Sequence, residues 1–169
     1  AQIAVPIVSG ESAESLAARV KLAEHQLYPR ALADYVSRWR NPAWLLAQVR
    51  SLALALPETS EQESFGAAGF RVGTGKAGKY FAYFADRHHG HQGIALLVKT
   101  SGPDELAALV EGRPEAYFRP AFYGASGWVG IVLDRRDLDW QDIAAWLRRS
   151  WRSAAPKRLT RLMDVAEQF

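Results

Sequence analysis

Cations carry most of the chemistry that this sequence offers. Arg148, Arg149 and Arg152 recur at helical spacing and Lys157, Arg158 and Arg161 follow, with Asp164 and Glu167 the only acids opposing them. Lys and Arg neutralise phosphates, so a surface that gathers several of them is what affinity for DNA requires. Arg135 and Arg136, in the turn before, extend the group. A second set, Arg71, Lys76 and Lys79, surrounds Gly73, Gly75 and Gly78, and glycines let a backbone approach a phosphate closely. Glu58, Glu61 and Glu63 lie nearby and would repel a polyanion or pair with these cations. Both sets also fit a plainer reading, a solvated face whose positive charge suits the C-terminal end of a helix.

Other constellations are weaker. Residues 72–79 hold three glycines but lack the GxxxxGK[ST] spacing, and no helix start follows to hold a phosphate. His88, His89 and His91 are imidazoles of the metal-ligating type, yet crowded into one turn with only Asp86 beside them they read as a solvated hairpin tip. Ser126 in GASGW lacks the GxSxG spacing of a nucleophile elbow, so its glycines read as turn residues. Phe118, Phe122, Tyr123, Trp128, Trp140 and Trp151 would suit base stacking, but their spacing reads as core. No nucleophile, base and orienting group share a recognisable spacing, and the expectation is a protein that is not an enzyme and holds no metal or cofactor.

Composition sets the bounds. The 169 residues suffice for one domain with a real core, and 49% hydrophobic content with six Trp excludes a disordered chain. A net charge of +3 is only weakly basic, so the distribution of charge matters more than its sum. The chain has no Cys, which removes disulfides and thiolate chemistry and suits a reducing compartment. AQIAVPIV lacks the basic region of a signal peptide, and no apolar run reaches the roughly 20 residues of a membrane span. The expected location is the cytoplasm, with no membrane partner.

The elements that must position these cations follow from periodicity. Leu16, Val20, Ala23 and Leu27 predict an amphipathic helix capped by Ser12 or Ser15, ended or kinked at Pro29 and followed by a second helical piece over residues 31–39. Residues 1–41 are thus a helical extension that packs on the domain, pairs with another copy, or is not native to the protein. Asn41 and Pro42 start a helix carrying Leu45, Val49, Leu52 and Leu56 on one face. Pro57 ends it, and a short acidic segment leads to Phe65, Phe70 and Val72. Alternation over residues 79–86 puts Phe81, Tyr83 and Ala85 on one face of a central strand and Tyr80, Ala82 and Phe84 on the other. Residues 94–100 complete a hairpin, Ser101 caps a helix, and residues 113–120 form an irregular connection. A strand over 128–133 and a helix from Asp139 follow, the helix placing Trp140, Ile143, Leu147 and Trp151 inward and its arginines outward. The sum is α+β, helices against a mostly antiparallel sheet of four or five strands, with a domain over residues 42–160 and a tail over 161–169.

The pieces LALALPETSEQESFG (52–66), GFRVGTGKAGKYFAYF (69–84), ALLVKT (95–100), RPEAYFRPAFYGASGWVGIVLD (113–134) and LRRSWRSAAPKRL (147–159) together resemble the MmcQ/YjbR family. The resemblance covers about residues 43–159, and it departs from the family's pattern in a longer turn over residues 72–79. Lys79 is taken as the family's lysine because FAYF follows it directly. The resemblance implies a double-wing, YjbR/CyaY-like fold akin to frataxin, and a DNA-binding role attributed to the family chiefly from that shape. The expected contacts are Arg148, Arg149, Arg152, Lys157 and Arg158 on the C-terminal helix, with Lys79, Lys76 and Arg71 on a wing, against double-stranded DNA. The alternative is a small protein-interaction domain in which the extension drives self-association.

Overall fold

The computed structural model describes residues 2–64, 66–87 and 91–166 of the chain. It divides into two compact units, Ala1–Arg38 and Trp39–Phe169. In the first, α1 (Ala13–Ser37) begins where the Ser12 hydroxyl accepts from the Ser15 amide at 3.2 Å. Pro29 does not end it. A proline deprives the helix of the one amide that would bond four residues back, and here the helix runs on through it to Ser37. No residue of α1 is buried.

In the second unit, α2 (Pro42–Leu54) starts as the sequence predicts, with the Asn41 side chain accepting from the Trp44 amide at 3.1 Å and Pro42 in the first turn. Then come β1 (Thr59–Ser64), β2 (Ala67–Val72), β3 (Lys79–Asp86), β4 (Ile94–Lys99), α3 (Pro103–Gly112), β5 (Tyr117–Phe118), β6 (Trp128–Val132), α4 (Trp140–Ala154) and α5 (Lys157–Ala166). The strands form one sheet in the order β1-β2-β3-β4-β6-β5, and every neighbouring pair is antiparallel. This is the α+β architecture expected, with six strands where four or five were read. β1 is formed by the short acidic segment, and β5 lies inside the proline-bracketed connection that was read as irregular. Both are edge strands. β1 alternates Thr59, Glu61 and Glu63 with Ser60, Gln62 and Ser64, and such charges keep an edge from pairing with another chain.

Two further expectations need correction. Gly102, not Ser101, is the N-cap of α3; Ser101 instead gives its amide and its hydroxyl to the Glu105 carboxylate at 2.7 and 2.8 Å. In β3 strict alternation fails. Phe70 opposes Ala82 while Arg71 opposes Tyr80, so Phe81 is the extra residue of a bulge. Tyr80 and Tyr83 therefore share a face, and Phe81 and Ala82 both join the core under the helices.

That core joins Leu45, Val49 and Ala53 of α2 and Ile143, Leu147 and Trp151 of α4 to Phe70, Phe84, Leu96, Val98, Val129 and Ile131 of the sheet. One polar side chain is buried among the described residues, Ser150 of α4. Its hydroxyl donates to the Phe81 carbonyl and accepts from the Lys99 amide at 2.9 Å. Phe81 and Lys99 stand one position beyond Ala82 and Val98, the last β3–β4 pair at this end. The hydroxyl thus replaces a ladder bond where the two strands part. Changing Ser150 to Ala leaves a buried carbonyl and a part-buried amide without partners at about 1–3 kcal/mol each, so unfolding in urea should show a loss of roughly 2–6 kcal/mol. Ser153→Ala, one turn on at an exposed position, should cost within about 0.5 kcal/mol, and equal effects of the two would refute the bridging role.

Candidate nucleic-acid interface

Ser150 and Trp151 face the sheet, so Arg148 and Arg149 on the same helix turn face outward and are exposed. The cations gathered by the sequence do not stand alone there. Arg149 makes a two-pronged pair with Glu105 of α3, one prong at 2.5 Å, and lies 5.0 Å over the Trp146 ring. Arg152 bonds Asp164 of α5 at 2.5 Å, and Arg158 grips both oxygens of Glu58 at 2.7 and 2.6 Å. Lys157 and Arg161 are exposed. The tail expected at residues 161–169 is, through Ala166, the second half of α5, and Glu167 lies outside the described residues.

The Arg158–Glu58 pair decides what this surface adjoins. Glu58 precedes β1 in a left-handed conformation (φ 50), and its carbonyl accepts from the Gly73 amide at 3.0 Å, where β2 turns toward β3. Trp151 reaches the same place, its indole donating to the Pro57 carbonyl at 3.1 Å. The start of α5 is thereby fixed beside the β2–β3 connection. Arg71 is spent inside that connection: it donates to Gln62 at 2.8 Å and to the carbonyls of Gly75 and Gly78 at 2.7 and 2.9 Å. A Cβ on Gly78 would come within 2.4 Å of the guanidinium, so only glycine admits this approach. Lys79 is exposed at the start of β3; the side chain of Lys76 lies outside the described residues. The structure therefore brings Lys157 and Arg158 to the wing, while Arg149 is tied to α3.

Of the aromatics that the sequence assigned to core, Trp128 is buried at 6% exposure on the sheet face turned away from α2 and α4, whereas Phe122 is 84% exposed. Tyr80 and Tyr83 stack with centroids 5.1 Å apart, and Tyr83 lies 5.3 Å from Trp128 and 5.6 Å from Tyr123. Gly69 and Gly130 leave room for these rings: a Cβ on Gly130 would sit 2.2 Å from the Phe118 ring. Burial, with Tyr123 and Tyr80 beside it, pushes the Tyr83 hydroxyl up to about 12. Trp140 and Trp151, by contrast, belong to or pack on the helix-side core. A signal was present in the sequence, Gly69 opposite Tyr83 and Gly130 opposite Phe118, but the Phe81 bulge hid which aromatics share a face.

The remaining candidates resolve into structure. His91 stacks on Phe118 at 4.0 Å, and its Nε2 is buried without a hydrogen bond; burial lowers its pKa against the opposing pull of Asp134. His88 and His89 lie outside the described residues. Among the described residues no group of three His, Cys, Asp or Glu is placed to hold a metal ion. Ser126 sits in a 3-10 turn closed by Gly127 at φ 73.

The family model for YjbR matches residues 54–153, which span β1 to nearly the end of α4. The chain belongs to the YjbR family. The crystal structure of Deinococcus radiodurans protein DR2400, of the DUF419 domain family, shares its fold at a TM-score of 0.53, with 20% identity over 63% of this chain and 75% of that one. No curated protein matches. The matched segment carries Arg71, Lys76, Lys79, Arg148, Arg149 and Arg152, whereas Lys157 and Arg158 lie beyond it.

The Arg149 hydrogen bonds, helped by the Ser101 amide and hydroxyl, hold the Glu105 carboxyl well below its ordinary 4.5, at about 2. A carboxyl whose pKa is depressed on folding contributes stability above its unfolded value and loses it as pH falls through the folded one. The α3–α4 tie should therefore weaken between pH 4.5 and 2. Thermal melts across that window should fall less steeply in Glu105→Gln than in the parent, and parallel curves would show that the pair contributes nothing.

Proposed function

We propose that this YjbR-family protein binds double-stranded DNA without catalysing a reaction, contacting phosphates through Arg148, Arg149, Arg152, Lys157 and Arg158 and through the wing at Lys76 and Lys79. The observation that carries this reading is the Arg158–Glu58 bond, which makes one continuous surface of the α5 cations and the wing. Carboxylates do not remove these arginines from the reading. Exposed ion pairs are worth about 0–1 kcal/mol, and an approaching phosphate can take over the guanidinium. Around α4 and α5, Arg149, Arg158 and Arg152 pair with Glu105, Glu58 and Asp164, all across partly exposed surface. Arg71 acts in this reading as the anchor of the wing, since its donors serve Gln62 and two carbonyls.

No helix among the described residues is long and apolar enough to cross a membrane. The absence of Cys supports placement in the cytoplasm, where DNA is accessible.

A second reading, protein interaction through the first unit, is favoured by α1, which buries none of its residues and exposes Leu22, Tyr28, Leu32, Tyr35 and Val36. Self-association would show as a concentration-dependent mass in light scattering.

The deciding measurement is fluorescence polarisation with a random duplex at 50 and 200 mM salt. Engaging about four phosphates should weaken binding by roughly 10²-fold across that range, and replacing Lys157 and Arg158 by Ala should flatten the slope by about 2. Lack of binding at the lower salt would reject the DNA reading in favour of the interaction domain.

A further inference from the structure

We propose that His91 and Asp134 form a binding site for a divalent transition-metal cation, at the end of the sheet away from the wing. The strands bring the two side chains together. β3 starts beside the wing at Lys79 and ends at Asp86, and the turn after it is closed where the Arg87 amide donates to the Gly93 carbonyl at 3.0 Å. Just past the β4–β6 ladder, the Leu133 amide donates to the Ile94 carbonyl at 2.8 Å, which fixes Gly93 beside the chain leaving β6. His91 lies two residues before Gly93, and Asp134 follows Leu133 directly. The His91 ring lies flat on Phe118 of β5, with centroids 4.0 Å apart and planes 10° from parallel, so its orientation is set as well. Glycine at position 93 makes the meeting possible. A Cβ there would stand 3.0 Å from His91 Nε2 and 2.9 and 3.0 Å from the two Asp134 oxygens, so three electron-pair donors converge over one α-carbon.

Within the protein these donors have nothing to match them. His91 Nε2 is buried without a hydrogen bond. The cations next along the chain turn elsewhere, Arg87 to Asp86 at 3.2 Å and Arg135 to Asp137 at 3.5 Å. A buried lone pair beside a carboxylate is costly, and a ligand that is positive and accepts electron pairs relieves both groups at once. Burial disfavours the protonated imidazole, which leaves the neutral ring that a metal ion requires. The donor set also selects the ion. Magnesium and calcium prefer oxygen alone, whereas zinc and its neighbours take imidazole together with carboxylate, at about 2.1 Å from each. No third His, Cys, Asp or Glu among the described residues joins the pair, so water completes the shell and the ion is exchangeable. Bound there, it ties the β3–β4 turn to the end of β6. The expectation of no metal came from histidines crowded into one turn; the ligand that changes it, Asp134, lies far along the chain.

The test is equilibrium dialysis of the full chain against zinc, with metal content read by atomic absorption, for the parent and for Asp134→Asn, His91→Gln, Gly93→Ala and His25→Gln. Thermal melts confirm folding. The expected result is a single exchangeable zinc in the parent, with affinity about tenfold or more weaker in the first three variants and unchanged in His25→Gln, whose imidazole is on α1. Zinc should also raise the melting temperature of the parent and leave that of Asp134→Asn where it was, while magnesium moves neither. Asp134→Asn keeps the size and shape of the side chain, so it decides the matter even if His91→Gln or Gly93→Ala fails to fold. A parent that binds no zinc overturns the proposal. So does full affinity in Asp134→Asn, which would place the ion elsewhere in the chain. Neither outcome touches the duplex reading, which uses the other end of the sheet.

Discussion

The geometry of this fold depends on the Ser150 hydroxyl. Where the β3–β4 ladder ends, the buried Phe81 carbonyl and the part-buried Lys99 amide both turn to one side chain of α4. Unpaired, each would be expensive. Ser150 stands between them as acceptor to one and donor to the other, and so the strands can diverge at no net loss of hydrogen bonds. The same divergence accompanies the Phe81 bulge, which sends two consecutive residues to the helix side and brings Tyr80 round beside Tyr83. A single hydroxyl on α4 thus joins the helix layer to the sheet and accompanies the rearrangement that sets which aromatics share the other face.

Much of the fold was legible because its signals are local. Asn41 and Pro42 announce α2, and Asp139 caps α4 by accepting from the Gln141 amide at 2.8 Å. Alternation in residues 94–99 and 128–132 gave β4 and β6. What escaped the sequence depends on partners far along the chain. TSEQES has no apolar alternation, and it becomes β1 only because β2 offers its edge and Arg50 of α2 takes Glu61 at 2.7 Å. Tyr117 and Phe118 form a strand of two residues between prolines, held by pairing with Ile131 and Gly130. The bulge could not be read at all, since Ser150, the residue that serves it, lies 69 positions away.

The cations show the same division. Helical spacing was enough to place Arg148 and Arg149 outward, because burial of one face of α4 determines the exposure of the other. Their partners were not legible. Glu105 occupies the first turn of α3, and its carboxylate serves Ser101 and Arg149 at once. Glu58 was read as a charge that would oppose the wing lysines, and it is instead the bridge that brings α5 to the wing. Arg71, counted with the phosphate contacts, spends its guanidinium on the backbone of the turn it stands beside. An arginine with its donors satisfied within the protein gains less from a phosphate than one whose donors face water, so the exposed Lys157, Arg161 and Lys79 matter more to any polyanion than their sparse sequence pattern suggested.

Placing acids and cations on opposite faces of one sheet also has an energetic logic. Glu61 is compatible with the helix side because Arg50 meets it there, and a carboxylate moved by one register to the aromatic face would meet Tyr80, Tyr83 and their neighbours, where burial already disfavours the charged phenolate. Lys99 and Arg71 escape that penalty, since the faces of aromatic rings attract cations. Charge sorting in this domain is therefore a consequence of which side of the sheet the helices cover. The side left to aromatic rings admits positive charge and resists negative charge.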